Sequence, residues 1–502
     1  MDDVGPFRSP TLPAPTTPVL GYAFARRHGV LVRPGAGGAL ECLHTRKAGL
    51  PALLEVQRIC GAEISFSAVD DAVLETALRE LYRDSAEEAA DFAAADGGLA
   101  ALADSAAAVD DLLDQRDDAP VVRLINALLL EAVKEGASDV HVETLEKRLV
   151  VRFRVDGVLR DVIEPRRALA TLLVSRIKVM AKLDIAEKRV PQDGRVTLRL
   201  GGLEIDVRVS TIPSQHGERV VLRLLDRNAG RLDLTSLGMS AEDLAKFERM
   251  IERPHGVILV TGPTGSGKTT TLYAALNRLN DRRRNIMTVE DPIEYALDGV
   301  GQMQVNSRID LDFARGLRAI LRQDPDVIMV GEIRDQETAR VAVRSSMTGH
   351  LVLSTLHTNS AVGSVTRLID MGVERYLLAP MVTGLIAQRL VRRLCPDCRR
   401  PDTATEADRA LLGDVLPAGA TVWRAVGCPT CRSDGYRGRT GIYELIEADE
   451  AFQALIHDGA SEAALTQAAR RSGPGLLEDG IAKIAAGATS VEEVARVVRE
   501  ET

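Results

Sequence analysis

The sequence predicts an α/β fold, a parallel sheet covered by helices on both faces, with a smaller α+β domain ahead of it. Three observations carry this prediction. From Ser240 onward, short apolar runs alternate with stretches of helical periodicity, the pattern of strands that return through helical crossovers. One of those runs, Val257 to Val260, leads straight into Gly262-Pro263-Thr264-Gly265-Ser266-Gly267-Lys268-Thr269-Thr270, a glycine-rich turn that opens a helix. Between Val151 and Val209, by contrast, single apolar residues alternate with polar ones around Asp156-Gly157 and Gly201-Gly202, which is hairpin chemistry.

The chain of 502 residues has room for about three or four domains. Its 27% charged and 45% apolar residues are ordinary for a soluble globular protein. A net charge of -9 and only 3% aromatics argue against a general nucleic-acid binder, which needs a basic surface and stacking platforms. No apolar run approaches the length of a membrane span, and the proline-rich, acidic N-terminus does not read as a signal peptide. A cytoplasmic protein is expected, one that meets membranes only through a partner or surface charge.

In chain order, residues 1–18 carry five prolines and read as a flexible lead-in. Helical spacing over Pro51–Ile59 and Asp71–Tyr82 gives a small first module, residues 1–83, whose lack of any chemical constellation suits a docking role. Residues 84–118 hold twelve alanines and eleven acidic residues against the single Arg116, too little apolar bulk for a core, so they read as a linker. The α+β domain spans 119–235. Val121, Ile125, Leu128, Leu129 and Ala132 share one face of a helix over Pro120–Glu135, and the hairpin strands follow. Arg208 stands in the second hairpin, and Arg219 and Arg223 share a face of the next strand by the two-residue repeat. Two readings stay open for these arginines: a solvated face with surface ion pairs, or cations that reach a nucleotide held by another domain or subunit.

The nucleotide domain spans 240–446. Gly262, Gly267, Lys268 and Thr269 match the spacing of a phosphate-binding loop, in which glycines let the backbone aim N–H groups at a polyphosphate. Lys268 is expected to reach the β and γ phosphates of ATP, and the Thr269 hydroxyl to ligate Mg²⁺. Ile286–Val289 predicts a second buried strand ending at Glu290, and Asp326–Val330 a third, followed by Gly331 and Glu332. This third segment takes the place of a Walker B motif, with Gly331 where an aspartate is often found. Glu290 and Glu332 thus divide metal orientation and water activation between them, in an order the sequence leaves open. Leu351–Leu356 predicts a fourth strand, and His357 at its end is either a hydrogen-bonded structural residue or a sensor of the γ phosphate.

Cys395-Pro-Asp-Cys398 and Cys428-Pro-Thr-Cys431 form two C-x-x-C pairs inside an insert at 391–435. Four thiolates at that bite suit a structural Zn²⁺ with no open position for chemistry, and a redox pair is the rival reading. Cys42 and Cys60 read as core cysteines. Residues 447–502 predict helices that pack on the nucleotide domain.

ASDVHVE from Ala137, RFRVDG from Arg152, PQDGR from Pro191, GPTGSGKTT from Gly262, TVEDPIEY from Thr288, RQDPDVIMVGEIRD from Arg322, TGHLVLSTLHTN from Thr348, the two cysteine pairs and GYRGRTGIYEL from Gly435 appear in that order. Together they resemble the secretion ATPases that power type II secretion and type IV pilus assembly. The resemblance implies a RecA-like nucleotide domain, a homo-hexameric ring, and MgATP as fuel, with TVEDPIEY as an aspartate box and TGHLVLSTLHTN as a histidine box. It assigns Arg208 and Arg223 to the phosphates. YAFARRHGVLV from Tyr22 is similar to the first module of the type II branch, which implies docking on the cytoplasmic domain of an inner-membrane secretion component, with pilus assembly as the alternative work. The other rivals are a zinc protein that binds nucleic acid and a nucleotide-dependent scaffold with negligible hydrolysis.

Overall fold

The computed structural model describes residues 20, 25, 28–34, 40–60, 64–71, 73, 74, 77, 99, 119–200, 203–225 and 233–499. The proline-rich lead-in, the Gly201-Gly202 turn, nearly all of the acidic linker and most of Asp71–Tyr82 lie outside the described residues. The chain divides into two compact units, residues 1–225 and 226–502.

In the first unit, β1 (Val30–Pro34) pairs antiparallel with β2 (Leu40–His44), and β2 pairs parallel with β3 (Ile64–Ala68). The parallel pair needs a crossover, which the helix Leu50–Cys60 supplies. Val30, Val32, Cys42 and Val56 close this small core, and burial pushes the Cys42 thiol up to about 11; Cys60 is half-buried against the same cluster.

A second sheet in this unit has the order β6 (Val158–Ile163), β5 (Leu149–Val155), β4 (Ala137–Thr144), β9 (Gly217–Leu225), β8 (Leu203–Ser214), β7 (Gln192–Leu200). Every neighbouring pair is antiparallel. Two-residue alternation gives this sheet an apolar face and a charged one. Val140, Val142, Val151, Phe153, Val207, Val209, Val220 and Leu222 pack with Leu124, Leu128, Leu173 and Ile177 of the helices Ala119–Lys134 and Ala170–Met180. The opposite face carries the arginines.

The second unit is built on a seven-stranded sheet ordered β12 (Gly301–Gln304), β11 (Ile286–Glu290), β13 (Val327–Val330), β14 (Leu351–Leu356), β10 (Gly256–Thr261), β15 (Val382–Leu394), β18 (Tyr436–Glu447). All pairs are parallel except β15 with β18. Burial on both faces follows from alternate side chains. Val257 and Leu259 join one apolar cluster, and Ile258 and Val260 join the other. The first of these clusters also takes Phe452, Ile456, Leu465, Leu476, Ile484, Val491 and Val494 from four C-terminal helices, so the end of the chain is fastened to the nucleotide sheet by its core. A two-stranded sheet, β16 (Arg400–Thr403) with β17 (Thr421–Arg424), lies within the cysteine insert. Among the described residues, no helix is long and apolar enough to cross a membrane.

Candidate functional site

Parallel strands put their C-terminal ends on one edge of a sheet, and here that edge collects the polar residues. Glu290 ends β11, Glu332 follows β13, His357 follows β14 and Gly262 follows β10. Because the spatial order is β11-β13-β14-β10, His357 is one strand from the phosphate loop, Glu332 two and Glu290 three. At roughly 4.8 Å per strand, Glu290 is rooted about 14 Å away along the sheet.

The loop itself is a left-handed turn that only glycines make cheaply. Gly262, Gly265 and Gly267 have φ of 147°, 82° and 89°. A Cβ at Gly262 would stand 2.5 Å from the Gln388 carbonyl, and one at Gly267 would stand 2.7 Å from Gln388 Nε2. Gly267 caps the helix Lys268–Leu279, whose first N–H groups and positive dipole end face the loop. Pro263, Thr264, Gly265 and Thr269 are exposed, Thr270 is half-buried, and the Ser266 hydroxyl is buried with no hydrogen-bond partner. An orphaned hydroxyl inside a glycine-rich cradle fits a phosphate ligand.

Lys268 is 8% exposed and its ammonium donates to the Gly262 carbonyl at 2.7 Å and the Pro263 carbonyl at 3.0 Å. Burial pulls its pKa down to about 8, with the nearby Glu332 carboxylate opposing the shift and the Arg389 guanidinium adding to it. Glu332 pairs with Arg334 and lies 3.4 Å from His357 Nε2. The His357 ring is half exposed. Its turn is held firmly. The Thr358 N–H donates to the Thr261 hydroxyl at 2.9 Å, Arg389 donates to the Asn359 carbonyl at 2.9 Å, and the Ala361 N–H donates to Glu444 at 3.1 Å.

Glu290 is of another kind. It is 2% exposed and accepts from the Tyr273 hydroxyl, from Thr288 Oγ1 and from Gln302 Nε2, the last at 3.0 Å. Burial raises its pKa above the usual carboxylate value, against the effect of those three donors, and burial also raises that of Tyr273. Tyr273 belongs to the helix that begins at Lys268, so Glu290 touches that helix at its second turn.

Gln388 and Arg389 are functional neighbours that no sequence motif marks. Gln388 accepts from Thr271 Oγ1 at 2.7 Å, and Arg389 donates to the Gln388 and Asn359 carbonyls, so β15 forms the floor of the phosphate loop. The available signal was a polar pair inside the apolar run of a buried strand.

Arg208 and Arg223 lie in the first unit, directly opposite each other on β8 and β9. Arg223 Nε donates to Asp139 at 2.9 Å, Arg219 donates to Glu143 at 2.7 Å, and Arg208 is 4.0 Å from Asp193.

The four insert cysteines come together. Sγ distances are 3.8 Å for Cys395 to Cys428, 3.8 Å for Cys398 to Cys431 and 3.7 Å for Cys428 to Cys431, and all four atoms lie within 4.8 Å of one another. No disulfide joins them. A tetrahedron of sulfurs about 2.3 Å from a central Zn²⁺ has an edge of about 3.8 Å, so the donor set fits that ion. Burial works against the charged form of Cys431, yet the Cys428 and Gly435 N–H groups, 3.1 and 3.2 Å from its sulfur, help to bring its pKa down to about 6.

Two family models match the chain: "Type II/IV secretion system protein" over residues 114–496, and a domain of "GSPII protein E" over residues 19–82. The Type II secretion system protein E of Pseudomonas aeruginosa is 57% identical over 504 residues, covering 98% of this chain and 99% of its own. The Type II secretion system ATPase E of Vibrio cholerae serotype O1 is 57% identical over 455 residues and 90% of each chain. Among solved structures, the ADP-bound pilus retraction motor PilT aligns with a TM-score of 0.53 at 26% identity, over 74% of this chain and 96% of its own. The nucleotide sheet is therefore that of the RecA-like ATPases. With a phosphate loop at its centre and relatives of this identity aligned nearly end to end, the chain belongs to the type II/IV secretion system protein family and is one of that family's type II secretion ATPases.

Proposed function

We propose that this ATPase works as a homo-hexameric ring on the cytoplasmic face of the inner membrane and converts ATP hydrolysis into movement that drives protein export. The carrying observation is the convergence of the phosphate loop, Glu332 and His357 on adjacent parallel strand ends. ATP binds over Gly262 to Thr270, with Lys268 on the β and γ phosphates. Mg²⁺, held through Thr269, supplies charge neutralisation of the phosphates. Glu332 orients and deprotonates the attacking water, and His357, 3.4 Å from it, carries the state of that carboxylate into the 357–364 turn. Glu290, saturated by three donors, positions the Lys268 helix through Tyr273. Arg208 and Arg223 act on the phosphates from the 119–235 domain, and their release after hydrolysis is the mechanical step.

Glu332→Gln should keep nucleotide binding and lose turnover by about 100-fold or more, the usual size of a general-base effect. A rate within tenfold of the parent would move water activation to another carboxylate.

A second expectation concerns pH. The Lys268 ammonium is lost as pH rises through about 8, and a polyphosphate favours the charged form. Nucleotide affinity should thus be full below pH 8 and fall by up to about tenfold per pH unit above it. Calorimetric titrations from pH 7 to 9.5 should show that slope, and Lys268→Arg should flatten it; a flat profile in the parent protein contradicts the assignment.

Cys395, Cys398, Cys428 and Cys431 hold a structural Zn²⁺ in this reading. Residues 1–83 dock on a cytoplasmic domain of an inner-membrane secretion component, with 84–118 as the tether. In support, Leu50 and Leu54 stand one helical turn apart at 69% and 56% exposure, and Phe66 of the same module is 39% exposed. The full chain should bind that secretion component and lose binding on Leu50→Asp with Leu54→Asp. Undiminished binding by that double variant would remove this helix face from the docking surface and leave the chemistry intact.

A further inference from the structure

The ASDVHVE strand has no task in the function above, yet its register places it inside a row of charge. Arg195, Arg208, Arg223, Asp139 and Arg154 stand opposite one another in turn on β7, β8, β9, β4 and β5. Like charges directly opposite are unfavourable in an antiparallel pair, and an anionic ligand on this face would offset the repulsion among the three successive arginines. Asp139 is the one carboxylate in the row. It is 4% exposed, accepts from Arg223 Nε at 2.9 Å, and its other oxygen accepts from the Ser138 hydroxyl at 2.7 Å. The Arg223 side chain nevertheless keeps 53% of its surface exposed.

We propose that Asp139 is a positioning residue for Arg223. By gripping Nε it fixes the plane of the guanidinium before any ligand arrives, so that the terminal nitrogens are presented to a phosphate rather than sampled among rotamers. Ser138 in turn fixes the carboxylate. An arginine tethered in this way loses little further freedom on engaging its anion, and the benefit appears where charge develops. The inference rests on the reading that Arg223 acts on the nucleotide phosphates.

A double-mutant cycle on the full-length ATPase tests it. Asp139→Asn should lower kcat about tenfold and leave KM for ATP within about twofold, because the contact acts in the transition state. Arg223→Ala should lower kcat further, and the double variant should be no slower than Arg223→Ala alone. Losses that multiply overturn the proposal, as does Asp139→Asn at the parental rate beside a slow Arg223→Ala. Arg223→Ala at the parental rate defeats the arginine reading itself, and the tether with it. If Asp139→Asn lowers the melting temperature, Ser138→Ala, which removes only the orienting hydroxyl, takes its place: a loss of about two- to threefold should vanish in the Arg223→Ala background, and persistence of that loss overturns the proposal.

Discussion

Lys268→Ala should lower ATP turnover by about a hundred- to a thousandfold, the range seen when one charge-stabilising donor is removed from a phosphoryl or acyl transfer site. The expectation follows from where the ammonium sits. It is buried at the mouth of the helix, bonded to the Gly262 and Pro263 carbonyls, and close enough to Glu332 and Arg389 for both to affect its acidity. A polyphosphate in the loop takes over that ammonium, so the cation exchanges two neutral carbonyl partners for an anionic one and gains a Coulombic attraction between full charges. Alanine leaves the helix dipole and backbone N–H groups in place, so nucleotide binding should weaken while hydrolysis is nearly lost. Steady-state hydrolysis alongside equilibrium binding separates the two. Turnover within tenfold of the parent would remove Lys268 from the machinery.

Loss of the proposed Zn²⁺ should have an equally large effect, on folding rather than on chemistry. Structural Zn²⁺ in small thiolate sites contributes roughly 10–16 kcal/mol, more than the insert's own short strands and helix can supply. Cys398→Ser should reduce bound zinc from about one ion per chain to a small fraction and expose residues 395–435 to limited proteolysis. Cys42→Ser, outside the cluster, should leave both unchanged. The damage should spread to the C-terminus, since Arg392 pairs with Glu493 at 2.9 Å, Arg424 pairs with Glu492 at 3.0 Å, and the Leu394 N–H donates to the Ala488 carbonyl at 2.9 Å. Full-length wild type that is compact, protease-resistant and free of zinc would contradict the metal assignment.

Legibility differed sharply between parts of the molecule. The phosphate loop was readable because its constraint is local: nine consecutive residues dictate a turn that needs positive φ at fixed offsets, and no distant contact is required to recognise it. The cysteine pairs were readable for a related reason, since each C-x-x-C sets its own bite. What the spacing left open was whether two pairs separated by 29 residues meet. They do, within 4.8 Å, because β15 and β18 pair antiparallel and bring Leu394 opposite Tyr436.

The division between Glu290 and Glu332 was not legible. Both follow a buried strand, and in sequence they look alike. Strand order separates them, placing Glu332 one strand nearer the loop and burying Glu290 beneath Tyr273, Thr288 and Gln302. The row from Arg195 to Arg154 was hidden for the same reason, since register across five strands depends on pairings that no local window contains.

The sequence by itself therefore determined the chemistry this protein has available: a phosphate loop, two strand-end carboxylates, four thiolates and a set of strand arginines. The tertiary structure alone decided which of these groups meet. Backbone conformation and ligand bite are short-range properties written in adjacent residues, whereas solvation, partner and orientation depend on which strands lie side by side, and that is settled only when the two faces of the sheet are buried together.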